Sequence, residues 1–201
     1  MKWEEIIKQM PVLFEELQKA PLVERADVQR SFHFKRGVYV FYENDDALYV
    51  GRTKRYIAKR VLIHGRACSR HNAASFAFLL AKEVAQDEGS DIVKTRKQLE
   101  QDERFKAIFS EQKERISKMR IRAIQITDPE MQAIFEIYAS KRLKTKYNDF
   151  ETELKRYECI TSELAIIIKI LNFAKQDESR AEITTKDLFE TEIKYQNILK
   201  E

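Results

Sequence analysis

Hydrophobic positions recur along the chain at two different periods, and the switch between them divides it into elements. From Trp3 to Lys19 the spacing is helical, with Trp3, Ile6, Ile7, Met10, Leu13, Phe14 and Leu17 on one side. Pro11 inside this run predicts a split into two short helices. Pro21 and the mixed stretch to Ser31 form a connector. From Gly37 to Tyr42 the chain becomes a run of Val, Tyr and Phe. The polar Glu43-Asn44-Asp45-Asp46 follows, and then Ala47 to Val50, which together predict a β-hairpin.

Helical spacing returns over Lys54–His64, with Ile57, Val61 and Leu62 on one side, and again over Ala73–Val84. Asp91–Ser117 is a long, charged helical stretch, poor in core residues, of one helix or two. Met119–Ile126 alternates and predicts a strand. Thr127-Asp128-Pro129-Glu130 is a helix start, with a capping Asp and Pro at the first helical position, for a helix to about Lys144. Two more helices are expected over Ser162–Ala174 and Thr185–Leu199. The fold class is therefore α+β: a small three-stranded antiparallel sheet flanked by helices. It carries an N-terminal helical segment (1–30), a core (35–150) with a helical insert at about 66–118, and a helical C-terminal extension (151–201).

Composition refines this picture in one respect. With 201 residues, 43% hydrophobic, only 4 Gly and 3 Pro, the chain can fill the core of one helix-rich domain with an appendage. No apolar run approaches the roughly 20 residues of a membrane span. The acidic Met1-Lys2-Trp3-Glu4-Glu5 lacks the features of a signal peptide, so a cytoplasmic protein without membrane partners is expected. Cys68 and Cys159, without a CxxC, are expected to be reduced.

Charge distribution says more than the net +4. Between Arg52 and Lys82 lie eight basic residues and no acidic one, whereas the chain from Tyr157 onward has nine acidic and six basic. A stretch of one sign suits phosphate, so Arg52, Lys54, Arg55, Lys59, Arg66 and Arg70 are candidate nucleic-acid contacts. A solvated helix face is the plain alternative.

The hairpin carries Gly37-Val38-Tyr39 and Tyr49-Val50-Gly51, with the tyrosines ten residues apart. Arg60 follows on the next predicted helix, and His64 lies one turn further on the same face. Glu136 lies on the later helix, and Asn148 twelve residues beyond it. In these positions the chain resembles the GIY-YIG nucleases, over roughly residues 35–150, with valine for isoleucine in both motifs. The Arg60/His64 pair and the Glu136/Asn148 spacing resemble the compact, restriction-like branch. The segment between Arg66 and Arg120 is longer than a minimal family core, and the chain after Phe150 matches nothing in the pattern.

The resemblance implies a divalent-metal-dependent endonuclease acting on nucleic acid, expected to be double-stranded DNA. Its catalytic set would be Tyr39, Tyr49, Arg60, His64 and Glu136. Glu136 would be the protein ligand of one Mg²⁺ (or Mn²⁺), and Gly37, Gly51 and Asn148 would support the site. The chemistry is reasonable residue by residue. A carboxylate can hold one Mg²⁺ that keeps most of its waters. Arg60 offers a permanent charge in a fork suited to phosphate oxygens. Tyr39 is a weak base at its ordinary pKa of about 10, and His64 is expected to titrate near neutrality; either can serve as base or relay. With one site per chain, a duplex break requires a homodimer or two nicks. Two readings stand beside this one: a catalytically idle nucleic-acid-binding module and an RNA-directed nuclease. His71-Asn72 does not make an HNH nuclease, because no histidine follows His71.

Overall fold

The computed structural model describes residues 3–148. Within them the chain is α+β, a three-stranded antiparallel sheet in the order β2-β1-β3 flanked by helices. Strand β1 (Lys35–Glu43) is central and pairs with β2 (Asp46–Tyr56) and β3 (Arg120–Gln125). The β1–β2 turn is tight. Asn44 and Asp45 both take positive φ (50° and 75°), as a two-residue turn matching the strand twist requires, and Asn and Asp tolerate that conformation.

Every residue of β1 from Gly37 to Tyr42 is buried, which is why this strand reads as an unbroken apolar run. Its side chains alternate between two cores. Val38, Val40 and Tyr42 pack with Ile6, Met10, Phe14 and Leu17 of α1 (Trp3–Lys19) and with Met131, Ile134 and Phe135 of α7 (Pro129–Arg142). Tyr39 and Phe41 face the opposite core. That core is built from α2 (Val28–Ser31), α3 (Ile57–His64), α4 (Ser75–Asp87), α5 (Arg96–Gln101) and α6 (Glu103–Ser117). Asp128 caps α7 by accepting from Met131 N at 2.7 Å, with Pro129 in the first turn, as the residue order predicts.

Several boundaries differ from expectation. Pro11 does not split α1, which runs unbroken; the residue is exposed, and the buried stripe of Ile6, Met10, Phe14 and Leu17 holds the helix through it. Strand β2 continues to Tyr56, so Lys54 and Arg55 lie on a strand and not on a helix. Cross-strand pairing with β1 extends it through polar residues: Gly37 pairs with Thr53 and Lys35 with Tyr56. The connector before β1 contains a 3₁₀ turn (Arg25–Asp27) and α2.

Helix α4 starts at Ser75 and extends past Val84 to Asp87. The charged stretch is two helices, broken where Asp102 adopts ψ 124° and caps α6 through Phe105 N. It is not poor in core residues, since Leu99, Phe105, Ile108, Phe109 and Ile116 are all buried. The expected helices Ser162–Ala174 and Thr185–Leu199, and the whole extension, lie outside the described residues. Among the described residues no helix is long and apolar enough to cross a membrane.

Both sheet edges are tied down. Val23 exchanges two backbone hydrogen bonds with Ile121 of β3 (2.8 and 2.9 Å). On the β2 edge the Asn148 side chain substitutes for a strand. Its Oδ1 accepts from Val50 N at 2.7 Å and its Nδ2 donates to Val50 O at 2.8 Å. Thr145 Oγ1 donates to the same Oδ1 at 2.9 Å, fixing the amide in place.

Candidate active site

The two tyrosine motifs meet across the hairpin. Tyr39 stands opposite Gly51, and its ring crosses the space a side chain would need there: a Cβ on Gly51 would sit 2.5 Å from the Tyr39 ring and hydroxyl. Gly37 is required for a similar reason, because a Cβ there would lie 2.2 Å from Ile124 O on the neighbouring strand. Glycine in each motif therefore makes room for the close approach that positions Tyr39.

The Tyr39 hydroxyl lies 2.9 Å from Nε2 of His64, the last residue of α3. Phe76 N donates to His64 Nδ1 at 3.4 Å. If Nδ1 accepts, a neutral ring carries its proton on Nε2 and donates to Tyr39. His64 is completely buried, and burial, reinforced by Arg60, holds its pKa well below the ordinary value. This corrects the expectation of titration near neutrality: the imidazole is a neutral hydrogen-bonding group, placed to fix the phenol. Tyr39 is itself fully buried, and burial raises its pKa strongly; Tyr49 and Glu136 push the same way, and Arg60 opposes them.

Arg60 comes from the face of α3 beside His64. Its Nη1 donates to Ala73 O at 2.5 Å and its Nη2 to Ser75 Oγ at 3.3 Å, and the guanidinium charge acts on the Tyr39 hydroxyl. Tyr49 stacks on Phe76, with ring centroids 4.7 Å apart and planes 10° apart, and the Ser75 hydroxyl acts on its phenol. Burial raises the Tyr49 phenol, and the Glu136 charge adds to it.

Glu136 reaches the same cluster from α7. Only 16% of its side chain is exposed, and Oε2 accepts from Arg52 Nε at 2.8 Å. Burial pushes its carboxyl up to about 7, against the pull of Arg52 and then of Arg60. Five residues from β1, β2, α3 and α7 thus share one electrostatic neighbourhood. Ser75 and the Phe76 N–H join them from α4; neither was anticipated, since nothing marks a serine at a helix start as a partner of a tyrosine 26 residues earlier. Asn148 hydrogen-bonds the β2 backbone at Val50 and the Thr145 hydroxyl.

The basic candidates divide in two. Arg52 is turned onto Glu136. Lys54, Arg55, Lys59, Arg66 and Arg70 are exposed, and none forms an ion pair among the described residues. Other basic residues meet acids, among them Arg104 on Glu88, Arg115 on Glu43, Arg120 on Asp45 and Lys146 on Glu83.

No cluster of three or more His, Cys, Asp or Glu able to hold a metal occurs among the described residues. The Glu136 carboxylate could supply one oxygen ligand of the kind a hard, largely hydrated divalent ion takes. A buried carboxyl that stays near 7 despite an arginine partner is also one that a further cation would hold ionised. The chain matches no protein-family model, no curated protein and no solved structure in the comparisons made with them.

Proposed function

We propose that this protein is a divalent-metal-dependent endonuclease of the GIY-YIG type, hydrolysing phosphodiester bonds in DNA. One observation supports the reading: Tyr39, Tyr49 and Arg60 all act on the largely buried Glu136 carboxyl, up to 97 positions away, whose pKa is pushed to about 7, and His64 fixes Tyr39 beside them. Arg60 neutralises a phosphate oxygen, and Tyr49 donates a hydrogen bond beside it. Tyr39 is held neutral by burial and fixed by His64, so it orients the attacking water and does not deprotonate it in the metal-free site. Glu136 would hold Mg²⁺ or Mn²⁺, which when bound supplies activated water and charge neutralisation at the phosphate.

Plasmid nicking with Mg²⁺ or Mn²⁺ tests this. Wild type should convert supercoiled to open-circular DNA, and Glu136→Ala and Arg60→Ala should each lose about 100-fold or more. No metal-dependent nicking, or full activity in Glu136→Ala, overturns the proposal.

A catalytically idle binding module is the second reading. It is favoured by the complete burial of Tyr39 and His64 and by the engagement of Arg60 with Ala73 O. It predicts metal-independent DNA binding with no nicking.

A further inference from the structure

The loop between α3 and α4 begins directly after His64 and ends at Ser75, so both its ends are fixed at the candidate site. Three charged side chains from three helices brace its backbone. From α6, the buried Lys113 donates through Nζ to Ala67 O at 2.6 Å and to Ser69 O at 3.4 Å. From α5, the Glu100 carboxylate receives His71 N at 3.0 Å and contacts His71 Nδ1 at 2.6 Å. From α3, Arg60 holds Ala73 O. Two internal turns, Ser69 N to Arg66 O and Ala73 N to Arg70 O, complete the path. Gly65 lets the loop leave α3 against α6, since a Cβ there would sit 3.0 Å from Lys113 O and Ser117 N.

Burying an ammonium to secure two loop carbonyls is costly and needs a return. What the loop presents outward is Arg66 and Arg70, exposed and without an ion pair among the described residues. Arginines on a stiff backbone lose less freedom on meeting phosphate than arginines on a slack one.

We propose that the Gly65–Ala74 loop is a pre-organised phosphate clamp, in which Arg66 and Arg70 grip the backbone of duplex DNA and set its register at the site. This rests on the nucleic-acid reading above but not on cleavage, so binding and nicking test the two separately.

The discriminating variant is Glu100→Ala. It removes a negative charge, so a clamp that worked by net charge alone would bind DNA more tightly. A clamp that works by stiffness would bind less tightly, because His71 loses its anchor. The full chain is titrated with a fluorescein-labelled DNA duplex by anisotropy, in EDTA. Glu111→Gln, an exposed charge change away from the loop, serves as the control. Arg66→Ala and Arg70→Ala should each weaken binding several-fold and reduce the salt slope by about one. Glu100→Ala should weaken binding about three-fold or more, with Glu111→Gln at or slightly tighter than wild type. Wild-type affinity in the Arg66→Ala/Arg70→Ala double variant overturns the clamp, as does equal or tighter binding by a folded Glu100→Ala. If Glu100→Ala fails to fold, the double variant, which alters only exposed side chains, decides. Binding that behaves as expected without nicking sinks the nuclease reading and leaves the clamp standing.

Discussion

At the scale of single residues, Glu136 is the group most out of balance with its surroundings. Its carboxyl rises from an ordinary 4.5 to about 7 because burial outweighs the pull of Arg52. The native state therefore binds a proton more tightly than the unfolded chain does. The stabilisation this gives is full below about pH 4.5 and is lost as pH rises through about 7, by roughly 3 kcal/mol in total. Thermal unfolding checks this: Glu136→Gln should gain stability over wild type at pH 8 and differ little at pH 4.5. An equal difference at both pH values refutes the assignment. Added Mg²⁺ should stabilise wild type more at pH 8 than at pH 6, and Glu136→Gln at neither. A second residue-scale prediction concerns Gly51, where an added methyl meets the fully buried Tyr39 ring at 2.5 Å. Gly51→Ala should cost about 1–3 kcal/mol by urea denaturation, and should abolish nicking through displacement of the Tyr39 hydroxyl from His64. Wild-type stability in this variant would show that the ring yields cheaply.

At the scale of elements, some of the architecture was legible and some was not. The β1 run and its polar turn announced the hairpin because a central strand buried on both faces has no polar positions to confuse the pattern. Asp128-Pro129 announced α7 because capping is local chemistry. The end of β2 was hidden: Thr53, Lys54, Arg55 and Tyr56 are strand only because β1 pairs with them, and their polar character resembles the helix that follows. Pro11 misled for the converse reason, since packing of the stripe on both sides of it outweighs a missing backbone donor. The candidate site divides similarly. Tyr39, Tyr49, Arg60, His64 and Glu136 were reachable through a family pattern, whereas the Arg52–Glu136 pair and Ser75 depend on how α4 and α7 dock, which no local spacing encodes. Asn148 yields the prediction at this scale. It closes the β2 edge with two hydrogen bonds to Val50, so Asn148→Ala should cost about 1–3 kcal/mol. Amide exchange at Val50 should accelerate while the β1–β3 ladder stays protected. Unchanged exchange at Val50 would mean that water replaces the side chain without loss.

At the scale of the molecule, the stretch from Arg52 to Lys82 concentrates basic residues without an acidic one among them. Arg104, Arg115, Arg120 and Lys146 each find an acid, whereas Lys54, Arg55, Lys59, Arg66 and Arg70 form no ion pair among the described residues, and only Arg70 feels a nearby carboxylate, that of Glu100. That arrangement is unfavourable for an isolated protein, because like charges repel with little compensation, and it becomes favourable when a polyanion supplies the missing charge. Six phosphate contacts on duplex DNA, these five and Arg60, should give a slope of log affinity against log salt of about −5 to −6, from roughly −0.9 per phosphate. Arg52 should add nothing to that slope, because its guanidinium already lies on Glu136. Titrations from 50 to 300 mM salt measure the slope directly. A value near zero would remove phosphate contact as the reason for the unpaired charge, and a full unit lost in Arg52→Ala would place that arginine on the nucleic acid and not on the carboxylate.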